Sequence, residues 1–414
     1  MRAAFARELL QRFFAHAVSS VSGDVAMARA LRRRGGIAPD APVAVLAIGK
    51  AADSMCRGAL DVLGDAVQIG LLITKQGHLS TRVRTDPRLH SIESAHPLPD
   101  QRSLDAGVAL TRFLDELPAG LPLLVMLSGG ASSLVEELPD GFGVESLTGM
   151  NRWLLSRDLP IDRVNAVRRS VSCIKGGRLR SRLGDRSLHV YLISDVPGDD
   201  PSVIGSGLLF PSADEQPLPD DLPAEVGAMA AAAPPQPREA DLRHLATDWQ
   251  IVASNRLARE AVVRLARREG LQVWHHRELI EGNTATAGRD IVRRLAQGEA
   301  GLHVFGGETT VRLPPDPGRG GRAQALALQA ALELDGGTDI ALLAAGTDGT
   351  DGPGEDAGAV VDGDTCARGR AAGLDPLASL EAADSGSFLA ASGDLIRTGP
   401  TGTNVMDLYL GFRS

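Results

Sequence analysis

Only three of the 43 basic residues in this 414-residue chain are lysine, and each lies close to glycine: Ile48-Gly49-Lys50-Ala51-Ala52, Thr74-Lys75-Gln76-Gly77 and Ile174-Lys175-Gly176-Gly177. Lysine brings a compact point charge where arginine brings a planar fork. Glycine lets backbone approach a ligand closely, and an ammonium beside such a turn suits an anion of the phosphate type. A second candidate is Ser128-Gly129-Gly130-Ala131-Ser132-Ser133, which lies between an apolar run and a helical stretch. Successive N–H groups there, with the dipole of the following helix, could cradle a phosphate, although paired glycines also serve a plain tight turn.

Carboxylates and one arginine add to this set. Asp195 follows an apolar run, and Asp199 and Asp200 come just after it. Magnesium carried by a nucleotide takes one or two carboxylates, and Asp195, nearest the strand tip, is the candidate; Asp199 and Asp200 read as helix caps before Pro201. Gly346-Thr347-Asp348-Gly349-Thr350-Asp351-Gly352-Pro353 reads as a metal- or hydroxyl-binding loop that lacks the EF-hand order of acids. Arg322 follows Gly320 and Gly321 at a helix start, where its fork could neutralise a transferring phosphoryl group or grip a carboxylate. Arg319 reads as solvent-facing, and His78 and His96 as structural. There is no GxxxxGK[ST] loop and no GxSxG elbow, and Gly318–Ala323, which mimics a dinucleotide fingerprint, follows a proline-rich loop instead of a strand.

The elements that must position these turns repeat one pattern: an apolar run, a glycine-bearing turn, and often a helix. The runs are Val43–Ile48, Ile69–Thr74, Leu123–Leu127, His189–Ile193, Leu302–Phe305 and Ile340–Ala344. Near-continuous runs of this length suit strands buried on both faces. Helical stretches such as Asn255–Glu269 and Gly321–Leu334 alternate with them. The fold class expected is α/β with mostly parallel sheets, and ligands beyond the carboxyl ends of the strands. A proline- and alanine-rich stretch from Pro211 to about Asp248 reads as a crossing between two domains, 1–235 and 248–414, with Gln250–Ala253 opening the second set and the last strand a candidate to return to the first.

The totals narrow the function classes. A net charge of −9 and 3% aromatic residues argue against nucleic-acid binding. Cys56, Cys173 and Cys366 have no metal-ligand spacing and suit a reducing cytoplasm. Residues Met1–Glu8 read as an amphipathic helix, and no run of about 18 apolar residues suggests a membrane span.

Taken together, the turns resemble the ATP-dependent glycerate 2-kinase family, whose C-terminal part is the MOFRL domain. To those quoted above the resemblance adds His96-Pro97-Leu98-Pro99-Asp100, Ser206-Gly207, Gly306-Gly307-Glu308-Thr309-Thr310 and Gly399-Pro400-Thr401-Gly402-Thr403-Asn404. It implies a Rossmann-like N-terminal domain and a MOFRL C-terminal domain facing a cleft. It also implies transfer of the ATP γ-phosphoryl group to the 2-hydroxyl of D-glycerate or a related hydroxy acid, with Mg²⁺, in a cytoplasmic monomer or homodimer. Lys50, Arg322 and Asp195 are then the catalytic candidates, Asp195 as metal ligand or as base. Ser128, Gly129, Gly130, Ala131, Ser132, Lys75, Lys175, Glu308, Asp348, Asp351 and Asn404 are candidates for substrate and phosphate, and Asn255 for the cofactor.

The chain departs from the family pattern in three places. Ala323 and Ala325 stand where the family has an amide and a carboxylate after the arginine, Leu208-Leu209 replace Pro-Thr, and Asn283 replaces an acid. These are expected to be turn and surface positions. Two rival readings remain: an NAD(P)H-dependent hydroxypyruvate reductase, which needs a glycine triplet that Gly49-Lys50-Ala51-Ala52 lacks, and a non-catalytic binder of a small acid or nucleotide, which Ala323 and Ala325 keep open.

Overall fold

In the computed structural model, which describes residues 2–33, 37, 41–157, 159–213, 216–245 and 247–414, the apolar runs become the strands of two sheets. The first contains β1 (Val43–Ile48), β2 (Val67–Lys75), β3 (Leu89–Ser94), β4 (Leu123–Leu127), β5 (Leu188–Ile193) and β6 (Thr247–Ala253), in the order β3-β2-β1-β4-β5-β6. Strands β1 to β5 pair in parallel throughout. Every residue of β1 and β4 is buried, which is why these strands read as unbroken apolar runs without alternation. Chain order reverses between β1 and β4. In a doubly wound sheet that reversal opens a crevice beyond the carboxyl ends of the two strands.

The second sheet contains β7 (Val273–Asn283), β8 (Gly301–Thr310), β9 (Ile340–Gly346), β10 (Gly358–Asp362), β11 (Leu395–Ile396) and β12 (Asp407–Arg413), in the order β11-β10-β9-β12-β8-β7. Strands β7, β8, β9 and β11 point one way, and β12 and β10 the other. The last strand stays in this sheet, inserted between β8 and β9, and does not return to the first. Insertion there makes Leu408, Tyr409 and Leu410 part of the core.

Two compact units result, Gly23–Val252 and Met1–Ser22 joined with Ala253–Ser414, so the bounds differ from those expected. The N-terminal helix Arg2–Val21 packs on β9, β12 and the helix Asn255–Arg268; Met1 lies outside the described residues. It places Leu10, Phe13, Phe14, Ala17 and Val21 on one face, all buried. Each fully buried phenylalanine contributes about 1.5–3 kcal/mol, and Arg7 adds ion pairs to Asp362 at 3.0 Å and Asp394 at 2.6 Å. Strand β6, read as opening the second set, lies at the edge of the first sheet. The Pro/Ala stretch is not a crossing: its helix Ala224–Ala232 buries Val226 and Met229 against Leu147, Leu154, Val167 and Val171. Composition cannot tell a solvated linker from a loop that packs. The three cysteines are free, and burial pushes the Cys56 thiol up to about 12. No helix among the described residues is long and apolar enough to cross a membrane.

Candidate active site

In the first unit the turns after β1 and β4 are bonded to each other at the point where chain order reverses. Lys50 N–H donates to the Gly129 carbonyl at 2.9 Å, and Ala51 N–H donates to Ser128 Oγ at 3.0 Å. Ser128 N–H returns to the Ile48 carbonyl at 3.0 Å, and Thr74 Oγ1, from β2, donates to the Gly49 carbonyl at 3.0 Å. Gly49 has φ +134°, and any side chain there would strike Ser128. Glycine is required at that position both for its backbone angle and for the close approach.

Three chemical side chains converge on the second turn. The Asp195 carboxylate, just past β5, packs on the α-carbon of Gly129, where a methyl group would collide with it. A Cβ on Gly130 would lie 2.9 Å from His96 Cδ2 and 3.1 Å from Lys50 Cγ. Lys50, His96 and Asp195 therefore surround Gly129–Gly130. Ser132 Oγ lies 2.8 Å from Ser206 Oγ, and Ser206, in the left-handed region at φ +56°, donates to Asn165 Oδ1 at 3.2 Å. A left-handed non-glycine residue is costly and persists only when its surroundings hold it.

Two expectations for this unit change. The helix after the turn is the single turn Ala131–Leu134, and Ala131 and Ser133 N–H groups bond back to Ser128 and Gly130 carbonyls. The dipole support expected from it is correspondingly small. Lys175 is not presented to a ligand: it is 1% exposed and paired with the buried Glu136. Ser172 Oγ also donates to Glu136, at 2.6 Å. Burial drives the Lys175 ammonium down from its usual range, and Glu136 is the compensating charge. Lys75 ends β2 and is partly exposed, at the carboxyl edge of the same sheet.

The second unit gathers its cluster around Arg322, the first residue of the helix Arg322–Leu334. Arg322 Nε and Nη2 donate to the two oxygens of Asp407 at 2.8 and 3.2 Å, a fork-on-fork pair, and Nη1 meets Glu308 Oε1 at 2.7 Å. Asp407 is 1% exposed; burial pushes its carboxyl above the usual carboxylate range while Arg322 opposes that rise. Burial disfavours the Arg322 charge, but Asp407 and Glu308 outweigh it and hold the guanidinium above its usual range. Met406, just before Asp407, is left-handed at φ +65°. Thr347 holds it there, donating from N–H and Oγ1 to its carbonyl at 3.2 and 2.7 Å.

Asp351 and Asn255 are buried members of this cluster, bonded within the protein. Asp351 is buried and accepts from Ala323 and Gln324 N–H at 3.0 and 2.7 Å, capping the Arg322 helix. Burial, and then the Asp407 charge, push its carboxyl up to about 7. Asn255 is also buried, and its amide donates to the carbonyls of Val405 and Asp407 at 3.0 and 2.8 Å. Asp348 accepts from Thr350 N–H at 3.0 Å. A Cβ on Gly346 would lie 3.5 Å from both Asp348 Oδ1 and Asp407 Oδ1, so those carboxylates approach each other. Asn404 stands half-buried in the loop before β12.

Sequence reasoning read His96 as structural and did not name Asp407. His96-Pro97-Leu98-Pro99, just past β3, was the available signal for the first. Asp407 is the first residue of an apolar strand and carried no local signal. Two of the three departures prove to be buried rather than surface positions, with Ala323 at 0%, Ala325 at 6%, Leu208 at 0% and Leu209 at 2% exposure, whereas Asn283 is exposed and caps the helix Thr284–Gln297. At Ala323 it is the backbone N–H that bonds to Asp351.

Comparison with known proteins agrees with this architecture. A family described as a domain of unknown function, DUF4147, matches residues 9–221, and the MOFRL family matches residues 301–407. The D-glycerate 2-kinase of Thermotoga maritima is 34% identical, covering 89% of this chain and 90% of that protein. A relative from Agrobacterium vitis that bears a hydroxypyruvate reductase name is 33% identical, covering 97% and 93%. The crystal structure of a Thermotoga maritima glycerate kinase superposes with a TM-score of 0.86 at 30% identity, covering 99% of each chain. By sequence along nearly its whole length and by fold, this chain belongs to the glycerate kinase family that joins a DUF4147 domain to a MOFRL domain.

Proposed function

We propose that this chain is a cytoplasmic glycerate 2-kinase, transferring the γ-phosphoryl group of ATP to the 2-hydroxyl of D-glycerate and releasing ADP and 2-phospho-D-glycerate. The observation that carries the reading is the convergence of Lys50 and Asp195 on the Gly129–Gly130 turn, where chain order reverses in a doubly wound sheet. The name of the Thermotoga maritima relative supports the acceptor. Phosphoryl transfer is dominated by positioning and by neutralising charge on the transferred group. Lys50 supplies that neutralisation in the first unit. In the second, Arg322 reaches an anion only by exchanging Glu308, the more exposed of its two partners at 38% against 2% for Asp407. Ser132 and the Gly129–Gly130 backbone, held in place by the buried Ser128, contact the phosphates or the acid, with Lys75, Asp348 and Asn404 at their margins.

Among the described residues no three His, Cys, Asp or Glu side chains gather as a metal site. The single Asp195 carboxylate fits an ion that arrives on a nucleotide, since Mg²⁺ bound to phosphates keeps only one or two protein carboxylates. Bound there, Mg²⁺ would offset charge between the β- and γ-phosphates. Asp195 either orients that ion or accepts the hydroxyl proton. The protein acts as a monomer or homodimer.

The reductase reading has the strand order and a relative's name in its favour. Against it, the N–H groups of Lys50, Ala51 and Ala52 in the first turn are bonded within the protein, to Gly129, Ser128 and Gly49. A pyrophosphate would need those donors. The test is ADP release with MgATP and D-glycerate, with the phosphoglycerate isomer identified by NMR, beside NADH consumption with hydroxypyruvate. ADP no faster than without acceptor would sink the kinase reading, and NADH oxidation would install the reductase.

A further inference from the structure

The chain carries more acidic than basic residues, 52 against 43, yet one groove of the second unit reverses that balance. It lies between the helix Asn255–Arg268 and β7, with a volume of about 390 Å³, in the range of about 300–1,000 Å³ typical of small-molecule pockets. Its charged lining is Arg256, Arg259, Arg264, Arg267 and Arg277 against Glu260 alone. Four of these arginines fall at positions 256, 259, 264 and 267 of one helix, spacings that place them along one face.

Glu260 answers only part of this charge. It lies 3.0 Å from Arg256 and 3.7 Å from Arg264, shared between them. Arg259 is 4% exposed, and its Nη1 donates to the carbonyls of His276 and Arg277 at 2.5 and 3.0 Å. Its guanidinium is thus fixed at the wall as a charge on a rigid frame. His275, also in the lining, is pushed down by burial and by Arg259. Like charges three residues apart on a helix, as at Arg256 and Arg259 or Arg264 and Arg267, destabilise it by a few tenths of a kcal/mol per pair. A bound anion would turn that cost into binding.

We propose that this groove binds a small polyanion of linked phosphate groups, the class represented by inorganic tripolyphosphate. Guanidinium forks match phosphate oxygens in pairs, and several spread along one helix face suit several linked phosphates better than one. The groove offers no aromatic side chain other than His275 for a base to stack on, so the phosphate chain and not a nucleoside is what it recognises. Nothing in this inference depends on the reaction proposed above.

The test is calorimetric titration of the full chain with tripolyphosphate in metal-free buffer at low salt, for wild type, Lys50→Ala and the charge-reversed Arg267→Glu/Arg277→Glu. Arg267 and Arg277 are exposed, so the double variant should unfold at or above the wild-type midpoint without ligand. The expected result is binding that Lys50→Ala retains and the double variant weakens by about tenfold or more, with a shallower salt dependence. Orthophosphate should bind at least about tenfold more weakly than tripolyphosphate, and ATP no more tightly. Should the double variant misfold, Arg267→Gln and Arg277→Gln singly are each expected to weaken binding. No heat with wild type, or binding that survives charge removal while Lys50→Ala abolishes it, would overturn the proposal.

Discussion

In the first unit Lys50 stands on a turn whose shape is set by uncharged groups: backbone N–H to carbonyl, Ala51 N–H to Ser128 Oγ, and two glycines with no room for a side chain. In the second, Arg322 helps hold the structure, because Asp407 is buried and has that guanidinium as its ion-pair partner. In the first arrangement uncharged groups build the turn and the Lys50 charge stands on it. In the second the charge is itself part of what builds the cluster. Removing the cation should therefore affect activity in both units, but stability mainly in one.

The largest effect is expected for Arg322→Ala. It should lower turnover by about 10³-fold or more and also cost about 3–5 kcal/mol in urea unfolding, because Asp407 is left buried without its counter-charge. Wild-type stability in this variant would break the comparison. Lys50→Ala should cost about 10²–10³ in turnover while shifting unfolding by no more than about 1 kcal/mol, as for a partly exposed cation. A large loss of stability there would equally contradict it. Gly129→Ala sharpens the first half: the added methyl displaces Asp195, and a misplacement near 1 Å costs about 10²-fold in rate. Asp351→Ala at the same depth in the other unit should instead appear first as lost stability, about 1 kcal/mol from the missing helix cap.

A further effect is a pH dependence confined to the second cluster. Burial beside Asp407 raises the folded-state Asp351 carboxyl from 3.8 to about 7, so between those values the folded chain holds a proton that the unfolded chain has released. Stability from this group is then full below about pH 4 and declines by about 1.4 kcal/mol per pH unit, at most, up to about pH 7. Unfolding of wild type and Asp351→Asn at pH 5 and pH 8 should show the decline in the first and a flatter profile in the second.

Much of the fold was legible because strands buried on both faces must be continuously apolar, as in β1 and β4. The turns after β1, β4 and β5 were legible for a related reason: residues at strand ends in a parallel sheet are held near one another by the sheet itself. Lys175 shows where that reasoning stops. Its glycine-rich turn looked like the other two, but its side chain runs inward to Glu136, 39 positions earlier in the chain. No local pattern carries that pairing, and the same holds for Arg322 with Asp407, 85 positions apart.

What the amino-acid order determined by itself was the alternation of apolar runs and glycine turns, hence an α/β fold with its chemistry at strand ends, because burial and backbone freedom act over a few residues. What only the tertiary structure decided was which charges face each other and which unit each segment joins. The N-terminal helix packs in the second unit, β6 joins the first sheet, and β12 slots between β8 and β9. The physical reason is that desolvation and ion pairing depend on distances in space, and sequence separation does not set those distances.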